Sequence, residues 1–120
     1  MIKGTCHCGQ ISYEFNDTPP YANRCNCSIC RRLGTLWIYS DASNIKLKGL
    51  NDSTSISYSH GDMELDFRTC NTCGTSILWQ QLATPGESRM AVNLNMADLD
   101  VINSIRVRHF DGADTWTHLD

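Results

Sequence analysis

The sequence predicts a mainly β, antiparallel domain with very little helix. Three observations predict it. Apolar residues recur with a period of two along most of the chain. Short polar turns separate those runs. Only one stretch has a convincing helical pattern. The 120 residues fit one domain, at about 100–200 residues per domain, so residues 1–120 are read as a single unit.

The elements follow in order. Ile11, Tyr13 and Phe15 alternate with polar neighbours and predict a half-buried strand. Leu36 to Tyr39 is a denser apolar run, expected to be a strand buried on both faces. Ile45 with Leu47, Ile56 with Tyr58, and Leu65 with Phe67 are three further alternating pairs. Ser59-His60-Gly61-Asp62 lies between two of them and reads as a hairpin turn. Ser76 to Gln80 is a second dense run, and Met90, Val92 and Leu94 alternate again. One or two helical turns are expected around Asn95 to Asn103, with Asn95 as cap. Ile105 to Phe110 is expected to be the last strand.

Composition narrows the function. Ten Lys and Arg against 13 Asp and Glu give a net charge of −3. That argues against a nucleic-acid or anionic-membrane partner, which calls for a basic footprint. No apolar run approaches the about 18 residues of a membrane helix. The first residues, Met1-Ile-Lys-Gly-Thr-Cys, carry no apolar signal region, so a cytoplasmic location is expected. An exposed sheet edge would allow a homodimer.

Seven cysteines in 120 residues are the strongest chemical signal. They fall as Cys6-x-Cys8, Cys25-x-Cys27-x-x-Cys30 and Cys70-x-x-Cys73. In a reducing compartment such clusters bind metal or do chemistry more often than they form disulfides. Zinc is the default metal for clustered thiolates, and its structural sites take four ligands, commonly as two pairs. Cys70-Asn-Thr-Cys73-Gly74 has the form of a zinc knuckle. Gly74 is expected at positive φ, with its N–H reaching a thiolate. Cys6 and Cys8, at i and i+2 on an extended segment, would face the same way. Together the two pairs make a closed site of four cysteines.

Cys25, Cys27 and Cys30 then remain as a triple. Three thiolates leave a fourth metal position open, which marks catalytic zinc. Pairing Cys25 and Cys27 with Cys70 and Cys73 is an alternative, but it strands Cys30. A second structural zinc completed by His60 or His109 is another. Arg24, Arg31 and Arg32 flank the triple. They either balance its net negative charge or hold a substrate carboxylate. His7 is expected near the metal or exposed, and His118 solvated. Trp37, Trp79 and Trp116 are each expected in the core or in a pocket wall.

Gly4-Thr-Cys-His-Cys-Gly9, Cys25-Asn-Cys-Ser-Ile-Cys-Arg-Arg32 and Cys70-Asn-Thr-Cys-Gly-Thr75 together resemble the glutathione-dependent formaldehyde-activating enzyme family. Centromere protein V shares that domain. Val92-Asn-Leu-Asn-Met-Ala-Asp-Leu99 is similar to a later segment of it. The resemblance implies a β-tent fold and two zinc ions per chain. One would sit on Cys6, Cys8, Cys70 and Cys73, the other on Cys25, Cys27 and Cys30. It further implies carbon–sulfur lyase chemistry on a small thiol such as glutathione, with formaldehyde as the aldehyde. The triple would be catalytic; that Arg31 and Arg32 bind substrate is the reading of the charge flanking it, not of the resemblance. After the triple, Arg31, Arg32 and Leu33 stand where members tied closest to glutathione have an aromatic residue, a lysine and a proline. Asn26 stands where the broader branch of the family often has histidine. A zinc-stabilised scaffolding module and a thiolate redox or metal-buffering protein are the alternatives.

Overall fold

In the computed structural model, which describes residues 1–82 and 89–120, two sheets share one core. The smaller sheet holds β1 (Ile2–Thr5), β2 (Ser12–Phe15) and β5 (Ile45–Lys48), antiparallel in the order β1-β2-β5. The larger holds β3 (Ala22–Cys25), β4 (Trp37–Asp41), β6 (Ser55–Tyr58), β7 (Leu65–Cys70), β8 (Ser76–Gln81), β9 (Arg89–Asn93) and β10 (Val107–Phe110). Its order is β10-β3-β4-β9-β8-β7-β6. Every pairing is antiparallel except that of β10 with β3, which is parallel and sets Phe110 opposite Cys25.

The alternating runs all form strands, and β6 and β7 pair across the expected hairpin turn. That turn runs through Gly61 and Met63, both at positive φ. Two strands have no alternation to announce them. β1 needs Gly4, because a Cβ there would lie 2.5 Å from the Tyr13 ring. β3 reads Ala-Asn-Arg-Cys and is held by its neighbours β4 and β10.

The main core joins the sheets. Tyr13, Phe15 and Ile45 of the small sheet share it with Ile38, Leu78 and Val92 of the large one. On the opposite face of the large sheet, Trp37, Phe67 and Ala91 form a second cluster, with Tyr39, Leu65 and Trp79 packed against it. β4 therefore buries Ile38 one way and Trp37 the other, as expected for a run apolar at every position. Asp66 is the charged residue buried within β7. It accepts hydrogen bonds from Ser57 Oγ, from Gln80 Nε2 at 2.9 Å and from Arg68 Nε at 2.7 Å. Burial pushes its carboxyl up, but those three donors outweigh it and hold the group below the usual range.

Helix is scarce. The expected turn after β9 splits into a 3₁₀ turn, Leu94–Met96, and α2, Leu99–Ser104. The cap is Asn93, whose side chain accepts from the Asn95 N–H, rather than Asn95. α1 (Ser28–Leu33) has no counterpart in the periodicity, and it starts inside the cysteine triple. Among the described residues no helix is long and apolar enough to cross a membrane.

Candidate metal centres

Cys6, Cys8, Cys70 and Cys73 come together at the meeting point of the two sheets, with all four sulfurs within 4.8 Å of one another. Two similar turns deliver them. Cys6 N–H donates to the Ile11 carbonyl at 2.9 Å, and Cys70 N–H to the Thr75 carbonyl at 2.9 Å. Gly9 and Gly74, at φ +84° and +76°, close each turn by donating back to the carbonyls of Cys6 and Cys70, both at 3.0 Å. Two expectations change here. Cys6 and Cys8 sit on a turn, not an extended segment, and the Gly74 N–H reaches a carbonyl, not a thiolate. The two turns are stitched together by His7 N–H to Thr75 Oγ1 and by Thr72 Oγ1 to Gln10 Oε1.

The sulfurs of Cys6 and Cys8 lie 3.6 Å apart, and those of Cys8 and Cys70 3.7 Å. Cys6 and Cys70 are buried, Cys8 exposed and Cys73 half-buried. The Thr75 hydroxyl, 3.2 Å from Cys73 Sγ, is the largest influence on that thiol and helps bring it down to about 5. The group is a set of four soft donors that can hold a metal ion.

Cys25, Cys27 and Cys30 form the second set, again with sulfurs within 4.8 Å. Cys25 ends β3. Cys27 is the N-cap of α1, its sulfur accepting the Cys30 N–H at 3.4 Å. Gly34 ends the helix at φ +68°, with its N–H on the Cys30 carbonyl. A thiol cap and a left-handed glycine thus confine the helix to six residues. The side chain of Cys30 is the largest influence on Cys25 and lowers its thiol to about 6; the same partner interaction raises Cys30.

No fourth ligand joins the triple among the described residues. His60 lies in the β6–β7 turn beside Tyr58 and Phe67. His109 binds the Asp120 carboxylate at 2.8 Å. His118 is not solvated as expected: its ring packs edge-on against Tyr21 and Phe110.

A cavity of about 240 Å³ adjoins the triple, lined among others by Cys25, Cys30, Arg24, Arg31 and His109. Arg31 is on its wall. Arg32 turns back and donates to the Ser28 carbonyl at 2.8 Å. Of the tryptophans, Trp37 reaches the triple, Trp79 packs beside Tyr39, and Trp116 is exposed against Phe110.

Sequence reasoning missed two features of this site. Asn26 fastens the triple to the C-terminal segment: its Nδ2 donates to Asp111 Oδ1, and its Oδ1 accepts the Ala113 N–H, both at 3.0 Å. Gly112 is pressed against the triple. A Cβ on it would stand 2.6 Å from Cys25 Sγ and 3.1 Å from Cys27 Cβ. The only sequence signal for Gly112 is an Asp-Gly pair, which reads as any turn. Gly112→Ala is therefore expected to displace Cys25 and weaken metal binding at the triple about tenfold or more, with the four-cysteine set unaffected. Competition with a chromogenic chelator measures it; unchanged affinity at both sets would contradict the packing argument.

The sequence model of the family described as "Glutathione-dependent formaldehyde-activating enzyme" matches residues 1–112. A curated protein of Halomonas elongata, named provisionally for the same activity, is 46% identical over 33 residues, which cover 27% of this chain and 21% of that protein. The crystal structure of a Rhodobacter sphaeroides protein, a structural genomics target, superposes with a TM-score of 0.69 at 26% identity. It covers 88% of this chain and 99% of that one. With the match running through all three cysteine clusters, the chain belongs to the glutathione-dependent formaldehyde-activating enzyme family.

Proposed function

We propose that this chain is a zinc enzyme of the carbon–sulfur lyase class, joining an aldehyde such as formaldehyde to the thiol of glutathione or a similar small thiol, or reversing that step. The observation that carries it is the unequal partition of the cysteines. Four converge in one set. Three converge in another that has no fourth protein ligand among the described residues and borders a cavity.

The donor sets suit zinc. A tetrahedral site with Zn–S near 2.3 Å requires sulfurs about 3.8 Å apart, and the separations of 3.6 and 3.7 Å in the four-cysteine set approach that. Cys6, Cys8, Cys70 and Cys73 would hold a structural ion; Cys25, Cys27 and Cys30 would hold the other. When bound at the triple, zinc supplies Lewis acidity at an open position.

The chain's own residues supply the rest. In the forward direction the thiol S–H is lost, a C–S bond forms as the C=O π bond opens, and one proton moves from sulfur to oxygen. The Arg31 and Arg24 guanidiniums on the cavity wall suit a carboxylate of the thiol substrate, whose planar oxygens match their fork. Arg32 contributes positive charge at the same helix end. α1 holds Cys27 and Cys30 rigidly, so substrate meets a preformed site.

The test is metal stoichiometry of the purified chain with and without glutathione. Two zinc ions per chain, one of them perturbed by the thiol, are expected. One ion alone, or two indifferent to glutathione, would overturn the reading.

A further inference from the structure

The indole of Trp37 is turned toward the triple. Its Nε1–H donates to Cys30 Sγ at 3.3 Å, and Trp37 and Cys30 are only 1% and 7% exposed. The ring cannot easily turn away. It lies on β4, between β3 and β9 in the large sheet, and packs against Phe67 with ring centroids 6.4 Å apart. Each sulfur of the triple accepts an N–H. Cys25 takes that of Cys27, Cys27 takes that of Cys30, and Cys30 takes the indole. The other donors are backbone groups that any residue would supply. The indole is the one donor of these three that a side-chain substitution removes.

We propose that Trp37 is a positioning residue of the three-cysteine centre, fixing the Cys30 sulfur and withdrawing charge from it. This rests on the reading of the triple as a metal centre. A hydrogen bond to a thiolate lowers the electron density it gives to a metal, so the ion keeps more Lewis acidity toward its open position. It also removes a rotameric freedom of Cys30, so the three sulfurs are held in place before metal arrives. The buried N–H gains in turn a partner for a group that would be costly to leave unpaired.

The experiment uses the full chain loaded with cobalt(II), whose thiolate charge-transfer absorption reports electron density on sulfur. Trp37→Phe keeps an aromatic ring on β4 and removes the indole N–H. The charge-transfer band of one of the two cobalt ions is expected to move to longer wavelength, and its affinity to fall about tenfold. The ion on the four-cysteine set serves as internal reference and should not change. A band and an affinity both unchanged at the triple would overturn the proposal. If wild-type chain takes up one cobalt only, the metal-centre reading fails first, and this proposal with it. If Trp37→Phe does not fold, wild-type chain answers alone. With nitrogen-labelled protein loaded with a spin-half cadmium isotope, the Trp37 indole N–H should show scalar coupling to the metal through Cys30, and its absence would overturn the proposal.

Discussion

Cys73→Ser is expected to leave the chain largely unfolded at room temperature. Structural zinc on thiolates contributes about 10–16 kcal/mol of apparent binding free energy near neutral pH, while whole domains of this size are stable by about 5–15 kcal/mol. The four-cysteine set ties the start of the small sheet to the β7–β8 turn of the large one, across 62 residues between Cys8 and Cys70. Cys6 and Cys70 are themselves part of the main core, so losing the ion loosens packing as well. Circular dichroism and a thermal melt measure the effect, and a strong chelator on wild-type chain should reproduce it. A metal-free chain with an unchanged melting midpoint would contradict the prediction. The pH dependence has a definite sign. Within the set Cys73 is lowered to about 5 and Cys8 raised to about 12, so the sign comes from the ion. Its ligands must be deprotonated, and the stability it contributes is lost as pH falls and protons compete for the sulfurs. Acid should therefore release the metal and destabilise the fold together.

Cys27→Ser should do the opposite: turnover falls to the uncatalysed rate while the fold survives. Cys27 has two jobs, since its sulfur belongs to the triple and also caps α1. Serine is among the best N-caps, so it keeps the helix and removes a soft metal ligand. Cys27→Ala would remove both and cost about 1 kcal/mol more. Metal analysis should find one ion per chain instead of two, with the melting midpoint close to wild type. Full activity with one ion would show that the triple is not where the chemistry occurs.

The contrast between these substitutions depends on a partition that the cysteine spacing already carried. Counting ligands divides seven cysteines into four and three, and the folded chain gathers those same groups. The alternating strands were equally legible, because Tyr13 with Phe15 and Val92 with Leu94 face a shared core and period-two burial writes itself into sequence. What stayed hidden is non-local. β3 reads as polar because its place is fixed by β4 and β10. α1 spans six residues, too few for a 3.6-residue period to show. Gly112 matters only because the chain returns to Cys25, and the indole of Trp37 matters only because Cys30 lies beneath it. Asn93 and Asn95 are both plausible caps by residue type, and backbone geometry decides between them.

The parallel pairing of β10 with β3 bears on when the second centre can exist. β10 must be made and docked before Gly112 can reach Cys25, and the Asn26–Asp111 bond spans 85 residues. Contacts so distant in sequence form late and slowly. On a ribosome, a nascent chain that has exposed all seven cysteines still lacks the strand that braces the triple. The bracing of Cys25, Cys27 and Cys30 therefore waits for residues far downstream of the triple, whereas the four-cysteine set needs nothing beyond the β7–β8 turn.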